Sequence, residues 1–337
     1  MLLKQGYDKL KNKERVKGMK IVILERNSVG LDISVEEIEK LGETTTYPNT
    51  TEADVREKIR DAEIIVANKA PLSRAVLEQA PKVKLICEFA TGYDNVDIAY
   101  CRERGIKVAN VVNYSTDAVA QHTFALCFYV LEKLRHYDDY VKSGTYAAQN
   151  RFSNFDLPFT ELAGKTWGIV GMGNIGKKVA GIAKAFGCQV IFYSASGSST
   201  CTEYERVELK ELLSRSDFLS LHCPLSDKTR DLINEEALRK MKKNAILINV
   251  ARGPVVNDAA LYQALTEGWI AGAGLDVTST EPMKPSNPLS RIMDSSRLII
   301  TPHLAWASTE ARYRCVSETC KNIEAFLKGE NRNIVNL

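Results

Sequence analysis

Three polar residues in the second half of the chain each follow a short apolar run. Arg252, Glu281 and His303 occupy these positions. An arginine can bind a carboxylate through two parallel hydrogen bonds, and a histidine exchanges protons near neutral pH. Open α/β sheets bind ligands at the carboxyl ends of their parallel strands. If the three runs are neighbouring strands, these side chains share one ligand site.

A glycine-rich loop lies between an apparent strand and a helix. Gly171, Gly173 and Gly176 form the pattern G-x-G-x-x-G between Trp167–Val170 and the helical stretch Lys177–Phe186. The first glycine allows a tight turn, the second lets the backbone approach a pyrophosphate, and the third lets the helix pack on the strand. The start of the helix offers unpaired N–H groups to the phosphates. This context favours a dinucleotide site over a simple turn.

The next apparent strand, Gln189–Tyr193, lacks the acidic residue that usually ends the second strand of such a fold. It ends in Ser194 and continues into a polar stretch that reaches Thr200. A carboxylate there would bond the ribose hydroxyls and repel a 2′-phosphate, and serine does neither strongly. We find no arginine following it that would bind a phosphate. The sequence therefore permits NADP(H) without selecting it over NAD(H).

These motifs need a framework of parallel strands, and the hydrophobic pattern predicts one. Short β-branched runs alternate with stretches of helical spacing, which is typical of βαβ units. The first series has predicted strands at Ile21–Leu24, Ile64–Ala67, Leu85–Phe89 and Val108–Val112, and predicted helices at Val35–Leu41, Glu52–Asp61, Ser73–Gln79 and Asp97–Arg104. The second has predicted strands at Thr166–Val170, Gln189–Tyr193, Phe218–His222, Ala245–Val250, Gly272–Val277 and Leu298–Thr301.

Two further helices are predicted outside these series. One begins at Ser115 or Thr116, whose hydroxyl would cap it, and continues without Gly or Pro to about Lys142. The other spans Ser308–Leu327 near the end of the chain. Together the elements predict two α/β modules.

Composition narrows the class of protein. The 337 residues are 45% hydrophobic and 26% charged, as in an ordinary globular chain. The longest apolar run, Phe124–Leu131, is too short to span a membrane. Six basic and two acidic residues in positions 1–18 account for the net charge of +3, so no nucleic-acid partner is indicated. We expect this basic extension to be a solvated tail or an extended start before Met19, with a targeting arm as the alternative.

Several reactive side chains are interpreted as structural. The eight cysteines lack metal-ligand spacing, so no metal site is predicted. Together with the lack of an apolar signal segment they favour a reducing cytoplasm. Cys223 is interpreted as a packing residue, and His122 and His136 as surface or helix-packing residues.

In several segments the chain resembles the D-isomer-specific 2-hydroxyacid dehydrogenases, most closely their hydroxypyruvate reductase (glycerate dehydrogenase) members. The matching segments are Ala90–Tyr93, Tyr114–Gln121, the glycine loop and His303–Ser308. The resemblance covers roughly residues 20 to 337. It implies two Rossmann-like or flavodoxin-like, doubly wound α/β domains with a cleft between them.

The resemblance also implies the chemistry. Reduction of a 2-oxo acid needs a hydride donor, a cation for the substrate carboxylate and a proton donor for the carbonyl oxygen. Arg252 suits the cation role, and His303 suits the proton donor. Glu281 against the imidazole would favour its protonated form and fix its orientation.

Further site residues come from the resemblance alone. Backbone N–H groups near Thr91 and Gly92 are implied to bind the substrate carboxylate. Trp306 either lines the substrate pocket or covers the domain junction, and Asp276 is implied on the nicotinamide side. The full set of implied contacts to NAD(H) or NADP(H) is Thr116, Gly171, Gly173, Asn174, Ile175, Gly176, Ser194, His222, Pro224, Thr229, Val250, Ala251, Asp276, His303 and Ala305.

The expected domain organisation also follows the family. Residues 19–116 and 308–337 would form a discontinuous substrate-binding domain, and residues 117–307 the dinucleotide-binding domain. In family members the long helix after Thr116 helps to form a homodimer, and we expect one here.

The expected activity is NAD(P)-dependent reduction of a small 2-oxo acid to its D-2-hydroxy acid, with hydroxypyruvate or glyoxylate favoured. A D-lactate-type or other 2-oxo acid specificity stays open. A rival of another class is a nicotinamide-sensing binding protein, as in corepressors that share this fold.

Overall fold

The computed structural model describes residues 18–337, so the expectation for the basic extension concerns residues that lie almost wholly outside the described part. The chain divides into two compact units. The first ends at Ser115 and resumes over Ala307–Leu337, and the second is Thr116–Trp306.

The first unit is built on a five-stranded parallel sheet in the order β2-β1-β3-β4-β5. Its strands are β1 Lys20–Ile23, β2 Glu43–Thr46, β3 Ile64–Ala67, β4 Leu85–Glu88 and β5 Lys107–Ala109. Its helices are α1 Glu36–Glu39, α2 Val55–Ile59, α3 Arg74–Leu77, α4 Ile98–Arg104 and, near the end of the chain, α11 Thr309–Leu327. Every residue of β3 and β4 is buried, which explains why these strands read as continuous apolar runs.

The second unit contains a seven-stranded parallel sheet in the order β12-β11-β10-β9-β6-β7-β8. The strands are β6 Thr166–Val170, β7 Gln189–Tyr193, β8 Glu205–Arg206, β9 Phe218–Leu221, β10 Ile246–Asn249, β11 Gly272–Leu275 and β12 Leu298–Ile300. The helices are α5 Thr116–Leu131, α6 Leu134–Lys142, α7 Asn174–Ala185, α8 Leu209–Arg215, α9 Glu235–Lys240 and α10 Asp258–Thr266. The strand order reverses between β6 and β9, the point at which doubly wound sheets bind dinucleotides. The predicted fold class, two parallel α/β modules, is confirmed.

The prediction of one uninterrupted helix from Ser115 or Thr116 to Lys142 is wrong, because the structure has two helices there. The structure divides it into α5 and α6, and Lys133 between them has a left-handed backbone with φ of 56°. The Lys133 ammonium donates to the carbonyl oxygen of Ser296 at 2.9 Å, so the residue at the break is tied to the segment before β12. Leu134, the first residue of α6, is 46% exposed.

Two strands were not predicted. β2 has the sequence Glu-Thr-Thr-Thr and β8 consists of Glu205 and Arg206 alone. Both lie at sheet edges, where a strand needs no apolar run because only one side of it is paired. Hydrophobic patterning has no means of detecting such strands.

The structure also shows the state of the cysteines and whether the described residues could bind a metal ion or cross a membrane. All eight cysteines are free thiols, and all except the half-buried Cys201 are buried. Within residues 18–337 the structure contains no cluster of three or more His, Cys, Asp or Glu suited to a metal ion. No helix in the described chain combines the length and apolar character that crossing a membrane requires.

The first unit contains one buried acid with an unsatisfied oxygen. Glu88 ends β4 and is fully buried, and its Oε1 accepts a hydrogen bond from the Asn95 side chain at 3.2 Å. Its Oε2 has no hydrogen-bond partner in the described structure. Burial raises the pKa of Glu88 to about 8, because the interior disfavours the carboxylate. The neutral acid is therefore the main form in the folded protein at neutral pH.

This assignment predicts a pH-dependent loss of stability. An unfolded glutamate has a pKa of about 4.3, so the folded pKa is raised. The contribution of Glu88 to stability is complete below the unfolded pKa and is lost as the pH rises through about 8. We therefore expect Glu88→Gln to raise the thermal midpoint relative to wild type more at pH 9 than at pH 5.5.

Glu63→Gln is the matched control for this measurement. Glu63 is paired with Lys84 at 2.7 Å, and that hydrogen bond lowers the pKa of its carboxyl group. Its removal should bring no gain at alkaline pH. Parallel curves of midpoint against pH for wild type and Glu88→Gln would contradict the assignment.

Candidate active site

The glycine loop occupies the point where the strand order of the second sheet reverses. Gly171 follows β6 with φ of 94°, and a Cβ there would lie 2.8 Å from the carbonyl oxygen of His222. A Cβ on Gly176 would lie 2.2 Å from the carbonyl oxygen of Gly171, so only glycine lets α7 come this close to the loop. A Cβ on Gly173 would meet nothing within 4 Å, so this glycine faces open space. The backbone therefore leaves room for a pyrophosphate at the start of α7.

His222, which follows β9, lies beside this loop. Its Nε2 is 3.0 Å from the hydroxyl of Ser220, whereas its buried Nδ1 has no hydrogen-bond partner among the described residues. Burial lowers the pKa of His222 to about 3, so the ring is neutral. An orphaned ring nitrogen next to a glycine cradle is what a bound polar group would satisfy. The residues present thus fit a dinucleotide cofactor.

A second group of side chains lies at the carboxyl ends of β10, β11 and β12, which are neighbours in the sheet. Arg252 follows β10 in a turn fixed by Asn249, whose side chain donates to the Arg252 carbonyl oxygen at 3.0 Å and accepts from the Ala251 N–H at 3.0 Å. Asn249 is fully buried and Arg252 is half-buried. The turn holds a guanidinium group at this edge of the sheet.

Glu281 and His303 are in direct contact. The Glu281 Oε2 lies 2.6 Å from Nδ1 of His303, and the two side chains are 33% and 27% exposed. The other carboxylate oxygen of Glu281 accepts from the Thr278 N–H at 3.3 Å. Because Nδ1 faces a carboxylate, it carries a proton. Nε2 is then the ring atom that can give or take a proton.

His303 has a left-handed backbone, with φ of 54°, which is uncommon for a residue other than glycine. Its N–H donates to the main-chain carbonyl oxygen of Asp276 at 2.8 Å. The Asp276 carboxylate, only 1% exposed, accepts from the N–H groups of Leu304 at 2.9 Å and Ala305 at 2.8 Å. Asp276, the residue directly after β11, therefore fixes three consecutive residues of the turn that carries the imidazole.

His122, interpreted from the sequence as a surface or packing residue, adds to this turn. Its Nε2 lies 3.0 Å from the Thr301 hydroxyl, which itself donates to Asp276 Oδ1 at 2.6 Å. Since the hydroxyl has one proton, Nε2 of His122 must be the donor to it. Burial lowers the pKa of His122, and the charge of Asp276 opposes that shift. This link could not be predicted from the sequence because α5 lies far from Thr301 along the chain.

The remaining predicted site residues lie in both units. Thr91 and Gly92 follow β4 in the first unit, where the Thr91 hydroxyl donates to the Val111 carbonyl oxygen at 2.7 Å. Trp306 ends the second unit and is half-buried. The other cofactor contacts implied by resemblance occupy the start of α5, the first turn of α7, and the segments after β7, β9, β10 and β12: Thr116, Asn174, Ile175, Ser194, Pro224, Thr229, Val250, Ala251 and Ala305.

An arginine that the sequence pattern does not indicate, Arg206, lies close to the end of β7. No arginine suited to a phosphate was expected after β7, yet Nη1 of Arg206 donates to the carbonyl oxygen of Gly197 at 3.1 Å. Arg206 reaches this loop because β8 pairs with β7. That pairing could not be inferred from a two-residue polar strand.

Comparisons with known proteins identify the family to which the chain belongs. A family model described as the NAD binding domain of D-isomer specific 2-hydroxyacid dehydrogenases matches residues 124–305. A hydroxypyruvate reductase from Blautia hydrogenotrophica is 40% identical over 325 residues, covering 94% of this chain and 100% of that protein. A glycerate dehydrogenase from Methylorubrum extorquens is 40% identical over 317 residues, covering 94% of this chain and 98% of that protein.

Solved structures show the same fold. A D-lactate dehydrogenase from Aquifex aeolicus, complexed with NAD and lactic acid, superposes with a TM-score of 0.83 at 30% identity and covers 94% of this chain and 99% of its own. An NADPH-dependent glyoxylate/hydroxypyruvate reductase from Sinorhizobium meliloti, in complex with NADP and malonate, gives a TM-score of 0.81 at 28% identity. The match covers 94% of this chain and 96% of that one.

The chain belongs to the D-isomer-specific 2-hydroxyacid dehydrogenase family. It is an NAD- or NADP-dependent oxidoreductase that acts on a small 2-oxo or 2-hydroxy acid. Membership of this family favours an enzyme over the alternative of a nicotinamide-sensing binding protein.

The bonds behind His303 lead to a prediction. Thr301→Val removes the hydroxyl that joins His122 to Asp276 and leaves both with one hydrogen bond fewer. We expect kcat to fall about ten- to a hundred-fold, because a displaced catalytic group reacts slowly. The KM for the 2-oxo acid should change little. Thr301→Ser, which keeps the hydroxyl, should restore kcat. A Thr301→Val enzyme with lowered stability and unchanged kcat would show that the bond is only structural.

Proposed function

We propose that the enzyme reduces hydroxypyruvate or glyoxylate to the corresponding 2-hydroxy acid, with His303 as the proton donor and Arg252 as the carboxylate anchor. The contact of 2.6 Å between His303 and Glu281 is the observation that supports the catalytic assignment most directly. The choice of substrate is supported by relatives, among them the Blautia hydroxypyruvate reductase and a glyoxylate reductase from Thermococcus litoralis that is 41% identical over 287 residues.

A reduced nicotinamide cofactor held at the glycine loop would supply the hydride that the carbonyl carbon accepts. Nε2 of His303 delivers the proton to the carbonyl oxygen, so that the C=O group becomes CH–OH. Glu281 orients the imidazole through Nδ1 and stabilises its positive charge before the proton leaves. Arg252 fixes the substrate carboxylate with two hydrogen bonds and, as a cation, polarises the neighbouring carbonyl group.

The roles of the other predicted contacts are part of the proposal. Thr91 and Gly92 would offer backbone N–H groups to the substrate, and Trp306 would line its pocket. Asp276 would serve mainly to position His303, since both of its carboxylate oxygens already accept hydrogen bonds in the described structure. A D-lactate-type specificity is the competing outcome.

The proposal predicts distinct effects for its two central residues. His303→Ala should lower kcat about 10²- to 10⁴-fold, the usual contribution of a general acid. Arg252→Ala should raise the KM for the 2-oxo acid and lower kcat. Arg252→Lys should recover only part of the activity because an ammonium group cannot bind a carboxylate bidentately. His136→Ala on α6 is the matched histidine control and should behave as wild type.

The measurement is loss of nicotinamide absorbance with hydroxypyruvate, glyoxylate and pyruvate, each tested with NADH and with NADPH. Faster turnover of hydroxypyruvate or glyoxylate than of pyruvate supports the assigned substrate. A clear preference for pyruvate would replace it by the D-lactate-type alternative. Wild-type turnover by His303→Ala would reject the catalytic assignment.

We also propose that the enzyme is a homodimer in a reducing compartment such as the cytoplasm. The segment between α6 and β6 exposes three aromatic side chains, Phe152 at 91%, Phe155 at 75% and Phe159 at 56%. Large apolar side chains exposed within eight residues are typical of an interaction surface. A second copy of the chain is the occupant that family resemblance favours. The eight free thiols support the compartment.

This proposal predicts a change of mass. Light scattering should give the mass of two chains for the wild type and of one chain after Phe152, Phe155 and Phe159 are all changed to Ser. Met293→Ser removes an equally exposed apolar side chain of the same unit and should leave the dimer intact. A wild-type protein that elutes as a single chain at micromolar concentration would refute the homodimer.

A further inference from the structure

The loop after β7 presents hydroxyl groups where a dinucleotide fold places the adenosine ribose. Ser194 directly follows the strand and is buried, and its carbonyl oxygen accepts from the Gly197 N–H at 3.0 Å. Gly197 has φ of 76°, so the chain turns back sharply there. The hydroxyls of Ser196 and Ser198 lie 2.7 Å apart on this turn. No carboxylate occurs between Ser194 and Thr200, so the loop itself has no charge that would repel a phosphate.

Arg206 brings a positive charge to the same loop. β8 pairs in parallel with β7, with Arg206 opposite Phe192, two residues before Ser194. The guanidinium group donates to the Gly197 carbonyl oxygen at 3.1 Å, which fixes it at the turn. The side chain belongs to an exposed residue, so a solute can reach it.

The acidic residues next to Arg206 in sequence have other basic partners. Glu205 forms two hydrogen bonds with Arg215, at 2.8 and 2.9 Å, and that pairing lowers the pKa of the Glu205 carboxyl. Glu203 lies 4.0 Å from the ammonium group of Lys184. The described hydrogen bond of the Arg206 guanidinium in this loop goes to a neutral carbonyl oxygen, that of Gly197.

We propose that Arg206, together with Ser196 and Ser198, binds the 2′-phosphate of NADP(H), and that the enzyme prefers NADP(H) to NAD(H). A guanidinium group and two hydroxyls are donors that match phosphate oxygens. This proposal rests on the proposed function, because it assumes that the cofactor binds at the glycine loop with its adenosine half beside the end of β7. It adds the cofactor preference, which the sequence left open.

Binding of cofactor fragments tests the site without any turnover. Isothermal titration at fixed ionic strength should show that adenosine 2′,5′-bisphosphate binds the wild type at least ten-fold more tightly than 5′-AMP does. Arg206→Ala should lose about ten- to a hundred-fold in affinity for the bisphosphate and little for 5′-AMP. Arg206→Lys should keep part of the preference. Lys210→Ala removes an exposed charge from the nearby α8 and should bind both fragments as the wild type does.

A gain-of-function variant guards against a loss caused by misfolding. Ser194→Asp places a carboxylate where NAD-specific folds carry one, so it should weaken binding of the bisphosphate and shift the ratio of kcat/KM towards NADH. Equal affinity of the wild type for the two fragments, or an unchanged preference in Arg206→Ala, would overturn the inference. A wild type that selects the bisphosphate but reduces none of the 2-oxo acids would support the phosphate site and reject the proposed substrates.

Discussion

The buried carboxylate of Asp276 is the interaction on which the rest of the candidate site depends. It accepts hydrogen bonds from the main chain at Leu304 and Ala305 and from the Thr301 hydroxyl, while its own main-chain carbonyl oxygen accepts from His303. A buried carboxylate without such donors would be costly, and a turn with a left-handed histidine needs outside support. The turn therefore supplies the donors that the buried carboxylate needs, and the carboxylate holds the turn in its left-handed conformation.

The two acids in the segment after β11, Asp276 and Glu281, are suited to different roles because their surroundings differ. Asp276 is buried and its oxygens are used by the protein, whereas Glu281 is one-third exposed and faces an imidazole. A buried, fully bonded carboxylate is suited to holding backbone in place. An accessible carboxylate beside a histidine is suited to stabilising a charge that comes and goes during a reaction. Both acids belong to the loop that follows β11, so one loop carries the acid that holds the backbone and the acid that faces the imidazole.

The sequence predicted what depends on local pattern and failed where distant segments meet. The central strands and the G-x-G-x-x-G loop could be predicted because burial on both faces leaves a continuous apolar run and because glycine is required by the backbone itself. Arg252, Glu281 and His303 could be singled out because all three follow such runs. Arg206 could not, since its strand is two polar residues long and its contact with Gly197 depends on edge pairing.

The contact of His122 is a second one that could not be predicted from the sequence, because it joins segments far apart along the chain. A histidine on an apolar helix face is ordinarily a packing residue, and nothing in its neighbours along the chain indicates otherwise. Its contact with Thr301 arises because α5 packs against β11 and β12 of the second sheet. The proton on Nε2 then follows from the direction of the Thr301 hydroxyl, and this is information that only the three-dimensional structure carries. The side chains that orient a reactive group are thus harder to predict from the sequence than the reactive group, because their partners are set by packing rather than by spacing.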